Sequence, residues 1–273
     1  MYRFEVKNKI KFIVDEEIEK ISFIKHAYST NIGGVSKGER FSGLNLGFST
    51  EDENESVREN YKLFSKAIGI DLNDFVLSNQ IHEDIIYKAG KKDRGKGVII
   101  DSNIKGVDGL ITNEKNVAIT LFSADCTLIL AVDIENKAIG ACHAGWKGTV
   151  KSITKKLIKK MEEEYGTKAE NVKISILPAI GACCFEVRKD VEENFRKTFG
   201  ENNDIISSCG IINGEEKFNI NLWNANKKLL LDAGVRESNI SVIDLCTCCN
   251  DYFYSYRRDG KGTGRMAAVI EII

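Results

Sequence analysis

Strand-like apolar runs follow one another along this chain instead of alternating with helices, and that order limits its fold more than any other feature. Runs near 117–122, 127–133 and 138–142 succeed each other with short polar breaks. Others lie near 10–14, 73–77, 172–177, 240–245 and 266–273. All have strand length, and several lack a polar face, so they read as strands buried on both sides. A doubly wound sheet would instead show strict strand–helix alternation, so the pattern predicts an α+β fold. Helical periodicity is clearest over 149–165, where Val150, Ile153, Leu157 and Met161 share one face and Gly166 follows as a stop. Further helices are predicted over 54–69, 188–198 and 222–233, the last ending before Gly234. The segment Asn31 to Gly47 is rich in Gly and Ser and lacks periodicity, as a long ordered loop with a functional task would.

No linker, low-complexity run or fixed-period repeat interrupts the chain, so one domain spanning 1–273 is expected. Hydrophobic residues at 42% suffice for a substantial core. A net charge of −1 supplies no global field to recruit nucleic acid or an acidic membrane. Acidic residues break the N-terminal segment before an apolar signal region forms, and no stretch of 18 apolar residues occurs. A cytoplasmic monomer is therefore expected. In that compartment eight cysteines serve as core residues, metal ligands or a nucleophile rather than disulfides. Histidine-based chemistry must draw on His26, His82 and His143.

Four stretches carry candidate chemistry, the last of them the C-terminal tail. In 138–149 an apolar strand ends at His143, and Gly145, Lys147 and Gly148 lead into a helix. Free amides and a helix dipole at such a turn suit an anion, although a core histidine in a tight turn fits the same residues. Ser123-Ala-Asp125-Cys126 sets an acid and a thiol between two strands, where both need a task or partners. The bland alternative is a buried Cys beside an Asp that hydrogen-bonds a turn. After the run Phe75–Leu77, Gln80 and His82 share a face, and a solvated loop histidine would explain His82 equally well. Two histidines and one thiolate, His82, Cys126 and His143, suit zinc and leave a fourth position open, although spacings of 44 and 17 residues form no local motif.

The tail from Asp251 to Arg265 mixes aromatics, glycines and Arg257, Arg258 and Arg265, which suits base stacking and phosphate; a solvated β-hairpin is the simpler alternative. On an extended strand Arg258 would face the site while Ser255 and Arg257 point away. The C-x-x-C at 246–249 has no second C-x-x-C to complete a four-cysteine zinc site, so it and the pair Cys183-Cys184 are read as packing and turn residues.

Together these pieces resemble the YfiH/YlmD family, long labelled polyphenol oxidases or laccase-like proteins. The resemblance runs nearly end to end: His26-Ala-Tyr-Ser-Thr, Gly33-Gly-Val-Ser36, Leu44-Asn45-Leu-Gly47, Gln80-Ile-His82, Asp108-Gly109, Ser123-Ala-Asp-Cys126, His143-Ala-Gly-Trp-Lys-Gly148, Ile180-Gly-Ala-Cys-Cys-Phe-Glu186, Ser255-Tyr-Arg-Arg258 and Thr263-Gly-Arg265. It implies a single α+β domain of mixed β-sheets with flanking helices, and metal ligands at His82, Cys126 and His143. It also implies phosphorolysis of adenosine, inosine and methylthioadenosine, and deamination of adenosine. Asn45, Gln80, Gly145, Lys147, Gly148, Arg257 and Arg265 are then expected at substrate and phosphate, with Asp125, Cys126 and Arg258 catalytic. The chain departs from the family at Asn31, often Arg, with a contact at the pocket mouth at stake, and at Leu177-Pro178, often Gly-Pro.

Three histidines cannot supply both an electron-transfer copper and a histidine-rich copper cluster. An axial Met is also scarce: Met161 belongs to the predicted helix, leaving Met1 and Met266. Adventitious copper at the three-residue site would still oxidise phenols slowly. The zinc-deaminase signature H-x-E with P-C-x-x-C is absent. Two competing functions fit the same residues: a thiol hydrolase with Cys126 as nucleophile, acting on cell-wall precursors or peptides, and a metal- or redox-binding module without turnover.

Overall fold

The computed structural model describes residues 1–273. Its elements run β1 (Tyr2–Lys7), β2 (Ile10–Asp15), α1 (Glu16–Glu19), β3 (Ile24–Ser29), α2 (Asn54–Ile68), β4 (Phe75–Leu77), β5 (Ile86–Lys88) and β6 (Gly109–Thr112). There follow β7 (Ala118–Ser123), β8 (Thr127–Asp133), β9 (Ala138–Ala144), α3 (Trp146–Val150), α4 (Ile153–Tyr165), β10 (Val172–Ile176), β11 (Glu186–Arg188) and α5 (Lys189–Phe199). The chain ends with β12 (Ile206–Ile212), β13 (Glu215–Ile220), α6 (Leu222–Asp232), β14 (Ile240–Val242), α7 (Tyr256–Asp259) and β15 (Met266–Ile272).

Two six-stranded sheets, ordered β1-β2-β3-β15-β7-β4 and β14-β10-β8-β9-β6-β5, face each other. Each is antiparallel inside with parallel pairing at an edge, β4 on β7 in one and β14 on β10 and β5 on β6 in the other. The third sheet, β11-β13-β12, is antiparallel and packs with α5 and α6. The α+β expectation with mixed sheets is met.

The continuous apolar runs follow from this layering. Along β7, Ile119 and Leu121 point between the sheets while Ala118 and Phe122 point outward against α2. In the second sheet, Leu128, Leu130 and Val132 of β8 face the shared core, and Ile129 and Ala131 face α4 and α6. With period 2, a strand covered on both faces has no polar side to show. α2 buries Val57, Tyr61 and Phe64 completely, each contributing about 1.5–3 kcal/mol.

The helix predicted over 149–165 begins earlier and breaks. α3 starts at Trp146 and stops at Lys151, where Ser152 adopts a left-handed conformation with φ 61°. Buried Asn226 of α6 bridges the break, donating to Thr149 Oγ1 and accepting from Thr154 Oγ1. The segment 31–47 is a loop as expected, pinned by Asn60 of α2, which binds Val35, Ser36, Gly43 and Asn45. The tail is not extended at its arginines. Ser255 caps α7 by accepting from the Arg258 amide, and the last strand begins only at Met266.

Candidate functional site

β4, β7 and β9 end, and β8 begins, at one end of the sheet sandwich. His143 is the penultimate residue of β9, on the inter-sheet face of Ile139 and Ala141, and is 3% exposed. Cys126 closes the turn between β7 and β8, and His82 lies in the loop after β4. Their donor atoms fall within 4.8 Å of one another. The imidazole rings are tilted at 59°.

Asp108, buried just before β6, organises this trio. Its carboxylate accepts from His143 Nδ1 at 2.8 Å and from the amides of Ile81, His82 and Glu83 at 3.0, 3.0 and 2.8 Å. It therefore fixes the His143 ring with Nε2 turned toward Cys126 and holds the His82 loop, where His82 itself has φ 63°. Gln80 secures the same loop by pairing both amide atoms with the Phe122 backbone. Burial opposes charge on His143, but Cys126 and Asp108 push its pKa up to about 9. Burial and the neighbouring His143 charge push His82 down. Two imidazoles and a thiol are donors that release protons when a metal enters.

The residues present fit a zinc-class ion: the donor set is nitrogen and sulfur, its atoms converge, and the carboxylate behind His143 sets its tautomer. The glycine after the strand belongs to that fit. A Cβ on Gly145 would stand 2.9 Å from Cys126 Sγ. The residues do not fit several coppers. His26, the third histidine, is buried in the first sheet with Nε2 accepting from the Asp15 amide, and Met266 Sδ accepts from the Tyr254 amide.

A cavity of about 910 Å³ opens over the trio. Its walls include Phe48, Phe122, Trp146, Phe185 and Tyr256, with Arg58, Arg257 and Arg265 as cations. Arg265 is the most enclosed of the three arginines. It donates to the carbonyls of Thr263 and Gly264 and has no carboxylate partner, and burial pushes its pKa down. Arg257 lies over Phe185 and donates to the carbonyls of Cys184 and Glu186.

Other residues expected at substrate take different places. Arg258 does not line the cavity; its guanidinium is spent on Asp259 and on the carbonyls of Thr247, Cys248, Asn250 and Phe253. The extended-strand argument for it fails because residues 256–259 are helical. Asn45 is fully buried, its Oδ1 accepting from the amides of Gly47 and Arg265, so it positions Arg265 from behind. Asp125 borders the cavity with φ 91°, but its carboxylate accepts from Thr247, Ser255 and the Arg257 amide. Lys147 is exposed beside Trp146 and, like Gly145 and Gly148, does not line the cavity. Asn31 binds the Asp251 carbonyl, away from the cavity mouth.

Sequence reasoning missed Asp108, Arg58 and the aromatic walls other than Tyr256, which belongs to the tail read for base stacking. Only the Asp108-Gly109 motif offered a signal. Gly47 is also explained only here: a Cβ there would meet the Arg265 side chain at 2.5 Å.

A family model described as "Multi-copper polyphenol oxidoreductase laccase" matches residues 25–273. The chain is 33% identical over 245 residues to "Purine nucleoside phosphorylase YlmD" of Bacillus subtilis, covering 89% of this chain and 86% of that protein. It is 32% identical to "Adenosine deaminase RL5" of an unknown prokaryotic organism, covering 91% and 96% of the two chains. The crystal structure of the Bacillus licheniformis hypothetical protein YfiH superposes with a TM-score of 0.90 at 31% identity, over 99% of both chains.

Proposed function

The chain belongs to the laccase-like polyphenol oxidase family that includes YfiH and YlmD, and from that premise we propose that it is a metal-dependent purine nucleoside phosphorylase that also deaminates adenosine. The observation that carries the phosphorylase reading is Arg265. A half-buried guanidinium without a carboxylate partner, facing a cavity beside convergent metal donors, calls for an anionic substrate. Phosphate suits it, since a guanidinium fork grips two of its oxygens at once. Arg257, earlier in the same connection between β14 and β15, flanks the anion, and Asp125 holds the Arg257 backbone in place. The purine stacks among the aromatic walls. His82, Cys126 and His143 would hold the ion, which would supply Lewis acidity there.

Cys126 beside a His143 that it helps to charge also supports a thiol-nucleophile reading. Metal-defined protein incubated with adenosine, with and without phosphate, separates the two. Free adenine and ribose 1-phosphate should form only with phosphate, and inosine should form without it. Failure to release base at any phosphate concentration, in zinc-loaded protein, would end the phosphorylase proposal.

A further inference from the structure

A second cluster of soft ligands lies in the two loops behind Arg257. The loop after β10 carries Cys183 and Cys184 in a turn, and the loop after β14 carries Cys246 and Cys249. All four sulfurs fall within 4.8 Å of one another, with Cys183–Cys249 at 3.7 Å and Cys184–Cys249 at 3.3 Å. A tetrahedral ion with Zn–S bonds of about 2.3 Å separates its sulfurs by about 3.8 Å. The C-x-x-C at 246–249 thus finds its second pair in two adjacent cysteines. A turn steps successive side chains round one side, whereas a strand would send them to opposite faces.

We propose that Cys183, Cys184, Cys246 and Cys249 form a four-thiolate zinc site, separate from the site at His82, Cys126 and His143, that staples these two loops together. Loading releases four thiol protons and leaves the centre with a net charge of about −2. The surroundings are built for that charge. The Gly181 amide donates to Cys246 Sγ at 3.2 Å. Arg257, which has no carboxylate partner, donates to the Cys184 carbonyl, and Arg258, paired with Asp259, donates to the Cys248 carbonyl. Room is kept for the sulfurs as well: a Cβ on Gly181 would lie 3.2 Å from Cys183 Sγ and from the Cys246 Cβ. The stapled loops matter to the cavity because one supplies Ile180 and Phe185 to its wall and the other supplies Thr247 to Asp125. Cys183 and Cys249 are exposed, which gives the ion a route from solvent.

The test counts metal in protein isolated under reducing conditions from zinc-replete cells. Parent protein should hold about two zinc ions per chain, and Cys126→Ser and Cys249→Ser about one each. Cobalt loaded into Cys126→Ser should give the intense thiolate-to-cobalt absorption of a tetrahedral site, lost in Cys126→Ser/Cys249→Ser. If Cys249→Ser does not fold, Cys183→Ser, at another exposed position, is read the same way. A parent with a single zinc that Cys249→Ser removes would support this site and count against the first one. A metal-free Cys126→Ser, a cobalt spectrum indifferent to Cys249, or a Cys184–Cys249 disulfide in freshly isolated protein would each overturn the proposal.

Discussion

Replacing Asp108 with Asn probes the proposed metal centre without touching a candidate ligand. Each carboxylate oxygen takes two N–H donors: Oδ1 from His82 and His143 Nδ1, Oδ2 from Ile81 and Glu83. An amide keeps one acceptor oxygen and turns an NH₂ toward the other pair. With the oxygen retained by Ile81 and Glu83, the NH₂ meets His82 N–H and His143 Nδ1–H. The His143 ring then relieves the clash by moving its proton to Nε2, the nitrogen that must face the metal. The His82 amide loses its acceptor and the His143 contact is re-formed without charge assistance; two charge-assisted hydrogen bonds of about 1.5–3 kcal/mol each therefore cap the destabilisation at about 6 kcal/mol. Loss of a group behind a metal ligand typically weakens affinity about 10- to 100-fold, or roughly 1.4–2.7 kcal/mol. Asp108→Asn should therefore bind zinc about 10- to 100-fold more weakly in competition with a chromophoric chelator. Parent-like affinity in folded protein would refute the assignment of Asp108 as the group that sets the His143 tautomer.

Arg265→Lys should lower phosphorolysis about 10- to 150-fold and spare phosphate-independent deamination, as steady-state rates on adenosine would reveal. Arg258→Lys should lower both activities equally through thermal stability, because an ammonium cannot span four carbonyls and Asp259; a selective loss of phosphorolysis would return Arg258 to the cavity. Burial holds the His26 pKa down at about 4. The unfolded chain therefore binds a proton that the folded chain excludes between about pH 6.5 and pH 4, so stability present above that window falls by about 3 kcal/mol as pH drops through it. Urea titrations should show that slope in the parent and not in His26→Gln, and an unchanged slope would place the titration elsewhere. Phenol oxidation should require added copper and stay slow, since His26 is committed to the Asp15 amide; rapid oxygen reduction by protein holding several coppers per chain would contradict this.

Strand positions were legible because a two-faced core leaves its mark locally: β7, β8, β9 and β15 have no polar side to offer, so their apolar runs have no competing reading. β1, β3, β5, β6, β11 and the β12–β13 hairpin escaped: β1 is only half-buried and β12 largely exposed, β3 mixes Lys25, His26 and Ser29 into its six residues, and β5, β6 and β11 have only three or four residues, too few to show a period. The candidate ligands His82, Cys126 and His143 were nameable because histidine is scarce and each sits at a strand end. Their convergence was not, since spacings of 44 and 17 residues encode no distance. Arg257, Arg258 and Arg265 show the limit most clearly. Residue type alone marked all three for phosphate, but a single helical turn capped by Ser255 swings Arg258 into the loop carbonyls and leaves Arg265 to the cavity. The same holds for Cys183, Cys184, Cys246 and Cys249, which no spacing rule joins. Amino-acid order determined which segments are buried, because burial pattern is a property of a few neighbouring residues. Tertiary structure alone decided which distant side chains share a site, because that depends on how the sheets stack and where the loops between them turn back.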